Sequence, residues 1–121
     1  MTAKTGQDLI DEAKRQIDEV TPEQVRDMQA RNESVVYLDV REPNEWNIAH
    51  LDGAKLLPVN SITQRASELD TASEMVIYCK TGIRSARALN ELRGLGFRKL
   101  WNLKGGITAW AEEVDSSMPV Y

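Results

Sequence analysis

The chain has 121 residues, of which 19 are acidic and 15 basic, for a formal net charge of −4 and a hydrophobic fraction of 41%. That length suits one domain with a single proper core, and the acidic balance argues against nucleic acid or an anionic membrane as partner. No apolar run approaches the ~20 residues that span a bilayer. One Cys and one His are too few ligands for a metal cluster. A lone cysteine makes no intramolecular disulfide, so a reducing cytoplasm is the expected location.

Residues 1–17 read as an N-terminal extension ahead of a domain spanning 18–121. Leu9, Ile10, Ala13 and Ile17 recur at helical spacing among charges, which predicts an amphipathic helix over about 5–18 that packs on the domain or on a partner. The acidic residues Asp8, Asp11 and Glu12, with no apolar segment, exclude a secretory signal. Thr21-Pro22-Glu23-Gln24 is a helix start, with Thr21 as N-cap, Pro22 at the first helical position and Gln24 closing a capping box. Val25 and Met28 give that helix a buried face, and it runs to about Arg31.

Val35 to Val40 is a nearly continuous apolar strand of the kind buried on both faces of a parallel sheet. A short helix over Pro43–Ala49, an Asp52-Gly53 turn and a strand over Lys55–Pro58 follow. Asn60 to Leu69 is predicted as a helix with Ile62, Ala66 and Leu69 inward. Met75 to Tyr78 is a β-branched and aromatic strand. The segment from Arg84 to Leu95 is a helix with Ala86, Leu89 and Leu92 on one face, closed by a left-handed Gly96. Lys99 to Leu103 is a further strand, and Gly105-Gly106 turns into a last helix through Trp110. Strands alternating with helices at this spacing imply an α/β domain with a parallel sheet and right-handed crossovers. In such sheets ligands bind at the carboxyl ends of the strands, which is where Cys79 falls.

Cys79 opens the loop Cys79-Lys80-Thr81-Gly82-Ile83-Arg84-Ser85, between a strand end and a helix start. Unpaired N–H groups and the positive end of the helix dipole favour an anion there, either a thiolate or an anionic substrate. Lys80 and Arg84 add cationic charge at the same place. The pattern points to a reactive nucleophile rather than a buried structural thiol.

The spacing from Cys79 to Arg84 is Cys-x4-Arg. Cysteine-dependent phosphatases use a loop one residue longer, and the position of their arginine is occupied here by Ser85. With the loop, several other segments make the chain resemble a single-domain rhodanese over roughly residues 18–115. These are Leu38-Asp39-Val40-Arg41-Glu42-Pro43 with Glu45-Trp46, then Ala49-His50-Leu51-Asp52-Gly53-Ala54, Leu95-Gly96-Phe97, and Leu103-Lys104-Gly105-Gly106-Ile107 with Trp110. The tail, Asp115 to Tyr121, is similar to that of rhodanese domains fused to sulfur-carrier adenylyltransferases.

The resemblance implies a three-layer α/β fold, an open parallel sheet of about five strands with helices on both faces. It implies a sulfurtransferase that needs no cofactor and carries sulfane sulfur on Cys79 as a persulfide. A small anionic donor such as thiosulfate would supply the sulfur, and cyanide, a thiol or a sulfur-carrier protein would accept it. A cysteine-desulfurase-type protein is a further candidate partner. The N–H groups of residues 80 to 84, Ile83 included, would stabilise the anionic sulfur. Arg84 would bind the anionic end of the donor and Lys80 would raise its local concentration. Gly82 would take a positive φ that closes the loop. Thr81 would donate to the persulfide or cap the helix, and Ser85 would cap it. Asp39 would border the site, and Arg41 would contact substrate or form a structural salt bridge with Glu42 or Glu45. His50 reads as a structural hydrogen-bonding residue, and Trp46, Trp101 and Trp110 as packing. A phosphatase or arsenate reductase on the same fold, or a non-catalytic binding module, are the alternatives.

Overall fold

A computed structural model describes residues 18–31 and 33–121; the helix expected within 1–17 lies outside them. Five strands, β1 (Glu19–Val20), β2 (Val35–Asp39), β3 (Lys55–Leu56), β4 (Glu74–Tyr78) and β5 (Leu100–Leu103), form one sheet of order β1-β5-β4-β2-β3. Every pairing is parallel. Strand β1 has only two residues, too short to read as a strand from sequence. It is held because Asn102 and Lys104 donate backbone N–H groups to the carbonyls of Asp18 and Val20, at 2.7 and 2.9 Å.

The helices are α1 (Pro22–Ala30), α2 (Pro43–Ile48), α3 (Ile62–Arg65), α4 (Ile83–Gly94) and α5 (Gly106–Glu113). Strand alternation divides the core into two layers. Leu38, Met75 and Ile77 point to the side where Ile62, Ala88, Leu89, Leu92 and Phe97 lie, and Cys79 continues that row. Tyr37, Val76 and Tyr78 point to the opposite side, against Val25, Ile107 and Trp110. The sheet is therefore covered on both faces. Among the described residues, no helix is long and apolar enough to cross a membrane.

Helix α1 begins as its sequence dictates: Thr21 Oγ1 accepts from the Gln24 N–H at 3.2 Å, and Gln24 Oε1 accepts from the Thr21 N–H at 2.9 Å. Helix α4 ends in a Schellman motif. Gly96 has φ +101°, its N–H reaches the Arg93 carbonyl, and the Phe97 N–H reaches that of Leu92.

Two expectations change. The single helix predicted over Asn60–Leu69 is broken into a 3₁₀ turn at Val59–Ser61, the short α3, and a second 3₁₀ turn at Ala66–Glu68. Ser61, Thr63 and Ser67 are weak helix formers, and an ion pair between Arg65 and Glu68, three residues apart, suits tight winding. Ile62 and Ala66 are nevertheless buried, and Leu69 packs against the same layer. In α4 the buried residues are Ser85, Ala88, Leu89 and Leu92, and Ala86 is only half-buried. The helix begins at Ile83, which turns Ser85 rather than Ala86 inward and makes the inner stripe 85, 88, 89, 92.

Candidate active site

Cys79 follows the last residue of β4, between β2 and β5, where the chain leaves the sheet for α4. Strand β2 connects outward to β3 while β4 lies on its other side, so the cysteine stands at a switch point of the sheet. Gly82, with φ +116°, is the N-cap of α4. Only a residue without a Cβ adopts that φ readily, and this one turns its N–H onto the sulfur at 3.0 Å.

The N–H groups that act on the sulfur extend one residue beyond the run 80–84. Gly82 makes the hydrogen bond, and the N–H groups of Thr81 and Ser85 also act on the sulfur. Ser85 is not the cap. It lies fully buried in the first turn of α4 with its hydroxyl 3.3 Å from Sγ. Burial pushes the Cys79 thiol up, but the Ser85 hydroxyl and the three N–H groups outweigh it and hold the pKa below its ordinary value. Cys79 is only 1% exposed, so any reactant must reach the sulfur through the loop mouth. Thr81 is exposed, and Ile83 stands 81% exposed at the start of α4.

The outer side of the loop is bound by α5. The N–H groups of Ile107 and Thr108 donate to the carbonyls of Cys79 and Lys80, at 2.9 and 3.1 Å. This requires Gly106: a Cβ there would lie 2.5 Å from the Cys79 carbonyl oxygen and closer still to that of Lys80. The helix N-terminus can meet the loop backbone only because that position is bare.

Asp39 and Arg41 are brought together behind the rim, both fully buried. The salt bridge of Arg41 is with Asp39, not with Glu42 or Glu45. Its Nε and Nη2 donate to the carboxylate at 2.7–3.2 Å, Nη2 also donates to the Ala49 carbonyl, and Nη1 donates to the Tyr121 hydroxyl at 2.6 Å. Burial works against the charge, but Asp39 and Tyr121 overcome it and the guanidinium stays charged. With every nitrogen bonded inside the protein, neither residue presents an exposed atom to a substrate.

Arg84 does not stand free either. Its Nη1 and Nη2 form a two-point ion pair with Glu45 of α2, at 2.6 and 2.9 Å. Glu45 also accepts from the Tyr121 hydroxyl at 2.7 Å. Arg84, and more weakly Tyr121, hold the Glu45 carboxyl at about 2, against an opposing effect of burial. The Lys80 ammonium lies 4.6 Å above the Tyr121 ring. The site rim is thus a network joining β2, α2, α4 and the tail. The His50 Nδ1–H donates to the Trp46 carbonyl at 3.0 Å while the imidazole ring stacks on the Trp46 ring. The ring thus makes a hydrogen bond of the kind expected of it. Trp110 is core, and Trp101 donates to Glu74.

Two residues here escaped the sequence reading. Tyr121 carries no local motif, and its role arises only from the return of the tail. Asn102 is a polar residue within an apolar strand, and that mismatch was the available signal. It is 4% exposed, accepts from the Ser85 hydroxyl at 2.6 Å and donates to the Gly82 carbonyl at 3.3 Å.

A parallel α/β sheet with a cysteine loop at its switch point, closed by a second glycine-led helix, defines the class of protein. A model of the rhodanese-like domain matches residues 21–113. The chain belongs to that family. It is 39% identical over 104 residues to the probable adenylyltransferase/sulfurtransferase MoeZ of Mycobacterium tuberculosis, covering 84% of this chain and 26% of that protein. The chain thus spans about a quarter of that relative's length. A sulfurtransferase of Allochromatium vinosum is 36% identical over 95 residues, covering 78% of this chain and 89% of that one. The crystal structure of a rhodanese-like domain protein from Staphylococcus aureus superposes with a TM-score of 0.75 at 26% identity, covering 81% and 95% of the two chains.

The close approach at Gly106 yields one prediction. Gly106→Ala adds a left-handed backbone cost of about 1–3 kcal/mol to a clash with the loop backbone. Denaturant unfolding should show a loss above that range, and a loss under about 1 kcal/mol would contradict the contact. Glu45 yields another. Its folded value of about 2 lies below the ordinary unfolded value of ~4.3. The stability it contributes is complete above the unfolded value and is lost as pH falls toward the folded one. Glu45→Gln should therefore melt lower at neutral pH, with the gap to the natural protein closing between about pH 4 and 2.

Proposed function

We propose that the protein is a sulfurtransferase that moves sulfane sulfur through a persulfide on Cys79. The observation that carries this reading is the sulfur itself, in a tight Cys-x4-Arg loop with the Gly82 N–H at 3.0 Å and the Ser85 hydroxyl at 3.3 Å. The sulfurtransferase names of the relatives in M. tuberculosis and A. vinosum support it.

In the first half-reaction the Cys79 thiolate attacks the outer sulfur of a donor such as thiosulfate. The donor's S–S bond breaks, sulfite leaves with the bonding pair, and Cys79 carries an extra sulfur with the negative charge on its outer atom. In the second, an acceptor nucleophile attacks that outer atom and the Cys79 sulfur leaves as thiolate. Cyanide, a thiol or the terminus of a sulfur-carrier protein would serve as acceptor. A relative in Bacillus subtilis is named a putative sulfur carrier protein, 32% identical over 99 residues, which favours protein partners of this kind. The backbone N–H groups supply fixed partial charge to the anion in both forms without a proton to lose.

Among the described residues Lys80 has no carboxylate ion pair, so its full charge is available to a small anionic donor. Arg84 shares its charge with Glu45, so its contribution to donor binding is that of a partly neutralised group. The phosphatase alternative is disfavoured by loop length, because Ser85 stands where that chemistry needs arginine, with its hydroxyl oxygen 3.3 Å from the sulfur. The binding-module alternative leaves the lowered thiol without a purpose.

Cys79→Ser should abolish transfer of sulfur from thiosulfate to cyanide while leaving the melting temperature nearly unchanged. Residual turnover above about one per cent would remove the covalent route as the main one. Arg84→Ala should raise the KM for thiosulfate, by less than the roughly 10- to 150-fold expected of an unshared charged contact. It should leave attack by cyanide on a preformed persulfide nearly unaffected. Equal slowing of both half-reactions would make Arg84 part of the loop scaffold instead.

A further inference from the structure

Three buried groups form a line into β5. Cys79 Sγ is 3.3 Å from Ser85 Oγ, Ser85 Oγ is 2.6 Å from Asn102 Oδ1, and Asn102 Nδ2 is 3.3 Å from the Gly82 carbonyl oxygen. Ser85 is fully buried and Asn102 is 4% exposed. A carbonyl oxygen only accepts, so the contact with Gly82 fixes the Asn102 amide with Nδ2 toward the loop and Oδ1 toward Ser85. Ser85 has a single hydroxyl proton to give.

With Cys79 as a thiol, the line is satisfied: the S–H donates to Ser85, and Ser85 donates to Asn102. With Cys79 as a thiolate, the sulfur has nothing to give, and the one hydroxyl proton has two acceptors. Turning it to the sulfur leaves the buried Asn102 Oδ1 without a donor; leaving it on Asn102 gives the sulfur only backbone N–H groups. We propose that Asn102 is a positioning residue that sets the reactivity of Cys79 by competing with its sulfur for the hydroxyl proton of Ser85.

This rests on the reading of Cys79 as the sulfur carrier and extends it through the cycle. When the outer sulfur is loaded, negative charge moves outward, the inner sulfur becomes a weak neutral acceptor, and the Ser85 proton returns to Asn102. When an acceptor removes the outer sulfur, the S–S pair of electrons returns to Sγ, and the Ser85 hydroxyl swings back to receive the charge. No proton leaves the line in either swing. Other charged or titratable groups around the loop are Lys80 in the loop, Arg84 on α4, Glu45 on α2, the Asp39–Arg41 pair at the end of β2, Tyr78 of β4 and Tyr121 of the tail. None of them is changed in the test below.

The test is the pH dependence of Cys79 alkylation by iodoacetamide in the natural protein, Asn102→Ala, Ser85→Ala and the double variant, with folding checked by thermal unfolding. Freed from its competitor, Ser85 should serve the thiolate, so Asn102→Ala should lower the midpoint by about one pH unit, a tenfold change in thiolate at fixed low pH. Ser85→Ala should raise it, and the double variant should match Ser85→Ala alone. An unchanged midpoint in Asn102→Ala, or the same downward shift without Ser85, would overturn the proposal. Should Asn102→Ala not fold, the near-isosteric Asn102→Leu, which removes the acceptor without adding charge, carries the test. It should lower the midpoint, and that shift should vanish in the Ser85→Ala background; a shift of equal size there would refute the competition. Alkylation needs no sulfur transfer, so absence of transferase activity would leave this result standing and count only against the proposed function.

Discussion

Backbone N–H groups can converge on a sulfur only if the carbonyls of the same peptides turn away and find donors elsewhere. Three carbonyls of the loop after β4 find such donors. Those of Cys79 and Lys80 are taken by the N–H groups of Ile107 and Thr108, and that of Gly82 by the Ala86 N–H and the Asn102 amide. Buried carbonyls without partners would cost more than the sulfur gains, so α5 and β5 are as much a part of the site as α4. Gly106 follows from the same requirement, since α5 can reach those carbonyls only without a side chain at that point.

The charges at the rim are organised for position more than for free attraction. Arg41 ties the end of β2 to Ala49 and to Tyr121, and Glu45 ties α2 to Arg84 and to Tyr121. Tyr121 accepts from one and donates to the other, so the tail is threaded through the network. A buried pair such as Asp39 and Arg41 contributes little net stability over an apolar substitute, but removal of either partner would leave an uncompensated buried charge. Its consequence is geometric: the switch-point edge of the sheet is held at a defined distance from the loop.

Much of this was legible in the chain. The apolar runs around Leu38 and Ile77 announced buried parallel strands, Thr21-Pro22-Glu23-Gln24 announced α1, and the strand–Cys–Gly–helix sequence located the loop. The positive φ of Gly82 and the left-handed Gly96 were also expected from their positions. What escaped depends on contacts distant in sequence. The two-residue β1 exists only because β5 pairs with it, and no local propensity marks it. Arg84 next to a cysteine reads as a free anion-binding group, and nothing near it reveals Glu45, 39 residues earlier. Ser85 at the head of a helix reads as a cap, because local preference cannot anticipate that Gly82 starts α4 earlier and turns Ser85 inward. Arg41 has two acidic neighbours following it in sequence, yet its partner precedes it, because the backbone at the end of β2 folds the guanidinium back over Asp39.

The central claim is that this loop holds the Cys79 sulfur as an anion. With a single thiol in the chain, ultraviolet thiolate absorbance against pH, blanked with Cys79→Ser, reads that sulfur alone. The account predicts a midpoint clearly below the ordinary thiol value of ~8.5. A midpoint at or above it would mean that burial outweighs the Ser85 hydroxyl and the loop N–H groups, and would contradict the account.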